Sequence, residues 1–150
     1  IDRKKNIFKL SQGEYVAPEK VEAALSRKNY IAQAFVEGNS LKSFLVAVIV
    51  PDPETIRPLS QSLGLETNSI EEICKDARVK KAIMEEIEAL GSKGSKELKG
   101  FEIPKVLHLE PELFSVEGGL LTPTFKLKRN EARKKYASII DTLYNSFEDK

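Results

Sequence analysis

The chain has 150 residues, 24 Lys+Arg against 23 Asp+Glu, and a formal net charge of +1. Its 41% hydrophobic content is enough for one folded core, and the balanced charge excludes both a disordered polyelectrolyte and a globally basic nucleic-acid binder. One cysteine cannot close an internal disulfide, and the longest apolar run, residues 44–50, is far shorter than a membrane span.

Ile7, Phe8 and Leu10 form a short apolar patch with β spacing that ends at the Gln12-Gly13 turn signal. Pro18 suits a first helical position, where its missing N–H costs nothing. Val21, Ala24 and Leu25 follow at helical spacing, so a helix is predicted over about 18–27. Residues 31–37 and 43–51 are predicted strands. Gly38, Asn39 and Ser40 between them read as a hairpin connection. The second strand is apolar almost throughout, which points to a central position covered on both faces. A helix begins near Pro53, is disturbed by Pro58 and ends at Gly64. Ser69 to Glu72 offers a cap with acids in the first turn. Val79, Ile83, Ile87 and Leu90 form one stripe of a helix over about 76–91. Residues 91–95 are a loop, and residues 104–109 a third strand. Residues 110–119 form a second loop, whose weakest point is Gly118-Gly119. A closing helix over about 129–147 places Ala132, Tyr136, Ile139, Ile140, Leu143 and Phe147 on one face. The pattern is a small α+β domain with a central, mainly antiparallel three-stranded sheet flanked by helices.

Charge is uneven along the chain. Residues 126–135 carry six basic side chains against Glu131, a net +5, and residues 1–10 carry a net +3. The remainder is acidic. A basic cluster at a loop–helix junction suits phosphate, because free N–H groups, the helix dipole and ammonium groups all favour an anion. Lys126, after a Thr-Pro-Thr turn, is placed to stabilise charge developing in a transition state. The competing reading is a solvated helix face. His108 lies in an alternating strand with no acid–base partner pattern, and Cys74 has no evident base. Both read as structural, as do Tyr136 and Tyr144. The only methionine is Met84 and the chain opens Ile-Asp-Arg-Lys-Lys, so it reads as a piece of a longer protein, with natural processing as the alternative.

Two segments carry a resemblance: residues 1–16 (Ile-Asp-Arg-Lys-Lys-Asn-Ile-Phe-Lys-Leu-Ser-Gln-Gly-Glu-Tyr-Val) with Pro18 to Glu22, and residues 121–129 (Leu-Thr-Pro-Thr-Phe-Lys-Leu-Lys-Arg). In this order they resemble the small C-terminal lid domain of the adenylate-forming (AMP-binding) enzymes. The Gln-Gly-Glu-Tyr-Val and Phe-Lys-Leu-Lys-Arg variants are most similar to those of the long-chain fatty acyl-CoA synthetases. The resemblance implies an acid–thiol ligase that works in two steps. Fatty acid and ATP give an acyl-adenylate and pyrophosphate, and CoA then displaces AMP to form the thioester. It implies Mg2+ held mainly by an N-terminal adenylation domain, which would be this domain's partner in the same chain. It also implies an intracellular location, with any contact between parent and membrane made outside this domain.

Position by position, the resemblance makes residues 1–5 a linker and 6–150 a single lid domain. Asp2 matches the hinge on which the lid swings, and Arg3 and Lys4 continue it. Gly13, Glu14 and Tyr15 match the loop beside the pantetheine tunnel of CoA. Many relatives have Arg where Tyr15 stands, so no CoA phosphate contact is assigned there. Lys126 matches the catalytic lysine of the adenylation pose. Many relatives have Gly before it; Phe125 stands there instead, as in the long-chain branch. Lys128 and Arg129 are candidates for phosphate contacts, and no metal ligand is assigned. By this reading the chain alone is inactive. Two alternatives remain: a non-enzymatic basic module that binds acidic lipid headgroups or nucleic acid, and the same superfamily with a different carboxylic acid substrate.

Overall fold

The computed structural model describes residues 7–28, 30–38, 42, 44–66, 69–91, 98 and 102–148. The chain opens with a small antiparallel hairpin, β1 (Phe8–Lys9) against β2 (Tyr15–Val16). Leu10 N–H donates to the Glu14 carbonyl at 2.8 Å and Gly13 N–H to the Leu10 carbonyl at 2.9 Å. Gly13 has φ +97, a conformation that glycine adopts without a Cβ penalty. Helix α1 (Pro18–Ser26) follows, with Pro18 in its first turn, and buries Val21, Ala24 and Leu25.

Strands β3 (Ile31–Glu37) and β4 (Leu45–Pro51) pair antiparallel, as a hairpin must. Asn39 and Ser40 of its connection lie outside the described residues, as do residues 92–95 of the predicted loop. From β4 the chain passes through α2 (Pro53–Ser62), α3 (Ile70–Lys75), α4 (Ala77–Glu88) and a 3-10 turn at Ala89–Gly91 before β5 (Pro104–Leu109). Asp52 and Asp76 cap α2 and α4 by accepting the N–H of Glu54 and Arg78. Pro58 is tolerated inside α2. Gly64, at φ +90, closes that helix, with Leu65 N–H on the Ser60 carbonyl and Gly64 N–H on the Gln61 carbonyl.

The sheet order is β3-β4-β5, and β5 pairs parallel to β4. The sheet is therefore mixed, where the sequence pattern suggested a mainly antiparallel one. The reason lies in the connection. A crossover through three helices brings the chain back to the starting end of β4, so β5 runs in the same direction.

All seven residues of β4 are buried, as expected of a central strand. Its side chains alternate between two cores. Leu45, Ala47 and Ile49 pack with α1, α2, α3 and α4, whereas Val46, Val48 and Val50 pack with Phe35, Phe114 and the C-terminal helices. The predicted closing helix is two helices, α5 (Arg129–Lys135) and α6 (Ala137–Glu148), divided at Tyr136 with φ −102 and ψ 12. Tyr136 is buried beside the Phe35 and Phe114 rings, 6.4 and 6.1 Å away between centroids. On α5, Arg129 and Arg133 reach Val36 and Glu37 of β3, while Ala132 packs with Tyr136, Ile140 and Leu143 in one apolar core. Among the described residues no helix is long and apolar enough to cross a membrane.

Candidate functional site

The site is built around the loop that presents Lys126. Leu121 and Leu127 form an antiparallel bridge, and the five residues between them make a tight turn. The Phe125 N–H donates to the Thr122 carbonyl at 2.7 Å, and the Thr122 N–H to the Lys126 carbonyl at 2.8 Å. The Thr122 hydroxyl accepts the Lys126 N–H at 3.1 Å and lies 3.0 Å from the Thr124 hydroxyl. Phe125 has φ +65, the left-handed residue that completes a turn of this type. Position 125 thus has the backbone shape that suits a glycine. The base of the loop is closed by the Lys128 N–H on the Leu120 carbonyl at 2.7 Å.

These bonds occupy the N–H groups of Thr122, Phe125, Lys126 and Lys128, and the exposed Lys126 and Lys128 side chains are what the turn presents to an anion. Lys126 and Lys128 are exposed, and neither ammonium has an ion pair among the described residues. Arg129 differs. Its side chain is only 10% exposed and its guanidinium is held by Glu22 at 2.6 Å and by the Val36 carbonyl at 3.2 Å. It does not stand free for a phosphate. Arg133 likewise turns to Glu37. Two of the six basic side chains of the +5 segment therefore neutralise acids of α1 and β3, which weakens the case for a general anion-binding face.

Glu22 is the residue that sequence reasoning missed. Burial pushes its carboxyl above the ordinary value; the hydrogen bond and charge of Arg129 and the Val36 N–H pull it back only in part. Nothing local marks it, because its partners lie 14 and 107 positions away. Gly13, Glu14 and Tyr15 form the tip and outgoing strand of the first hairpin. Tyr15 is 67% exposed, with the Lys9 ammonium 5.7 Å from its ring centroid. Asp2, Arg3 and Lys4 lie outside the described residues. The structure joins the segments that follow the two candidate loops, α1 after Tyr15 and α5 after Lys126, through the Glu22–Arg129 pair.

His108 and Cys74 sit apart from this site, on the other side of the domain. They line a cavity of about 520 Å³ with Lys80, Leu109 and Leu143. Burial raises the Cys74 thiol to about 11, which leaves it protonated at neutral pH. Among the described residues no group of three or more His, Cys, Asp or Glu is arranged to hold a metal ion. Among the described residues there is no ligand set for the Mg2+ that the resemblance implies.

No protein-family model matches the chain. It is 51% identical over 149 residues to long-chain-fatty-acid–CoA ligase 5 of Rattus norvegicus, covering 99% of this chain and 21% of that protein. It is 52% identical over 146 residues to long-chain-fatty-acid–CoA ligase 1 of Homo sapiens, covering 97% and 20%. The chain thus spans about a fifth of the length of these curated relatives. Among solved structures it resembles the adenylation domain of a carboxylate reductase from Mycobacterium chelonae. The TM-score is 0.80 and the identity 37%, over 95% of this chain and 20% of that one. A Brucella canis acyl-CoA synthetase, at TM-score 0.56 and 19% identity, shares the fold over 91% of this chain and 20% of its own.

Proposed function

As a relative of the long-chain-fatty-acid–CoA ligases with the fold of an adenylate-forming enzyme, the chain is, we propose, the C-terminal lid domain of such a ligase. The lid works on ATP, a long-chain fatty acid and CoA that are bound by a large N-terminal domain of the parent chain. One observation carries the reading. Lys126 stands exposed, without an ion pair among the described residues, on a five-residue loop whose backbone bonds hold it rigidly.

In the first half-reaction a fatty carboxylate oxygen attacks the α-phosphorus of ATP. The P–O bond to the leaving pyrophosphate breaks as the new one forms. Negative charge builds on the phosphoryl oxygens in flight, and a fixed ammonium nearby lowers that barrier without reorganising. Lys126 supplies it, and Lys128 makes a second phosphate contact. In the second half-reaction the CoA thiol attacks the acyl carbonyl and AMP leaves. The lid turns about Asp2, with Arg3 and Lys4 in the linker, and brings Gly13, Glu14 and Tyr15 alongside the pantetheine arm. Gly13 suits close backbone approach because it has no Cβ. Hinge motion of this sort commits substrate and excludes water.

The test is Lys126→Ala in the full-length ligase. Fatty-acid-dependent ATP–pyrophosphate exchange should fall at least about a hundredfold, in line with the loss of one fixed charge-stabilising donor. Thioester formation from supplied acyl-adenylate should stay within a few-fold of wild type. Equal loss in both half-reactions would refute the one-step role of this lysine. As a control, the 150-residue chain alone should form no acyl-CoA.

A further inference from the structure

Val36 lies on β3, an edge strand of the three-stranded sheet, yet both its backbone polar groups are met by side chains. Its N–H donates to Glu22 Oε2 at 2.7 Å, and its carbonyl accepts from Arg129 Nη1 at 3.2 Å. Glu22 Oε1 and Arg129 Nη2 close the circuit at 2.6 Å. The guanidinium also lies over the Phe35 ring, 5.6 Å from its centroid. Both side chains are almost wholly buried, at 12% and 10% exposure. The pair therefore takes the place of a further strand at this point of the edge and fixes α1 and α5 to one residue of the sheet.

Arg129 is the first residue of α5 and follows directly on the Lys126 loop. On its other side the loop is tied through Leu120 and Leu121, and Leu127 packs against the adjoining apolar core. From this geometry we infer that Glu22 is a positioning residue for Lys126: it holds Arg129 against Val36, and Arg129 fixes the base of the loop that aims the lysine. The inference rests on the proposed role of Lys126. It goes further by assigning that aim to an acid on a helix distant in sequence. The first hairpin has its own bonds, Leu10 N–H to Glu14, Gly13 N–H to Leu10, and Ser11 N–H to the Lys42 carbonyl at 3.0 Å. Its geometry does not pass through the pair.

A buried guanidinium that loses its carboxylate turns toward water, because an unpaired charge is costly to keep inside. Glu22→Gln keeps the volume and an acceptor for Val36 but removes the charge. Arg129→Lys keeps the charge but loses the planar fork that reaches two acceptors at once. In the full-length ligase each variant should lower the turnover of adenylation roughly tenfold, since small misplacement of a catalytic group is costly. Thioester formation from supplied acyl-adenylate should change less than about twofold. Glu22→Gln added to Lys126→Ala should cause no loss beyond that of Lys126→Ala alone, because groups acting as a unit are not additive. Amide exchange at Phe125, Lys126 and Lys128 should quicken in Glu22→Gln, with the amides of Leu10 and Gly13 unchanged. Loop amides protected as in wild type would overturn the inference, as would equal loss in both half-reactions or full additivity with Lys126→Ala. Should Lys126→Ala itself leave adenylation intact, the proposed function fails, and the exchange experiment still decides whether Glu22 holds the loop.

Discussion

Phe125 is where local chemistry and fold disagree most. A bulky residue at φ +65 sits in a region that its own Cβ disfavours, and 74% of its surface faces water, so burial returns little. Such a conformation costs on the order of 1–3 kcal/mol. Glycine would remove that strain and lose roughly 0.5–1 kcal/mol through the freer unfolded chain. Phe125→Gly should therefore raise stability by about 1 kcal/mol, and Phe125→Val, branched at Cβ, should lower it. Thermal unfolding of the two variants checks the order. A glycine variant that melts below the valine variant would mean the turn is held otherwise. The strain was not legible beforehand. The sequence shows only a Phe between Thr124 and Lys126, and the reason a glycine would suit that position appears only with the backbone angle.

At the level of elements, what was readable is what is local. The stripe Val79, Ile83, Ile87 repeats on one helix face, and all three side chains are fully buried in α4. Its neighbour Lys81 faces solvent. Ile83→Ala should cost about 3 kcal/mol, within the usual range for deleting a buried aliphatic side chain. Lys81→Ala should stay within about 0.5 kcal/mol. Denaturant midpoints with unchanged slopes would establish both values. A small loss at Ile83 would show that the helix packs loosely on the sheet. The break at Tyr136 escaped the periodicity because Ala132, Ile140 and Leu143 keep helical spacing straight through it. The bonds from the Tyr136 N–H to the Ala132 carbonyl and from the Ile140 N–H to the Tyr136 carbonyl also continue across it, so the break shows only in the backbone angles of Tyr136. The parallel return of β5 was hidden as well, since strand direction depends on a crossover of more than fifty residues.

At the scale of the whole molecule, the candidate site is a long-range construction. The motif around Lys126 is contiguous and was legible. The acids that neutralise Arg129 and Arg133 come from α1 and β3, 107 and 96 positions away, and no window of sequence joins them. The opposite side of the domain has its own electrostatics, centred on His108. Burial lowers the affinity of His108 for a proton; Glu110, 3.7 Å from Nε2, opposes that shift and Lys80 adds to it. The folded chain therefore binds a proton at His108 less readily than the unfolded chain does. Linkage then fixes the sign: this contribution to stability is complete above the unfolded value near 6.5 and is lost as pH falls below it toward the folded value. Glu22 works in the opposite sense. Its carboxyl is raised above 4.5 by burial, so folding is favoured as pH falls through the folded value. Comparing His108→Gln with wild type cancels the Glu22 effect. From pH 7.5 to 5.5 the wild-type melting temperature should fall relative to that of His108→Gln, and above pH 7.5 the difference between the two should no longer change with pH. A difference that stays flat over this range, or opens in the other direction, would place His108 in water rather than half-buried between Glu110 and Lys80.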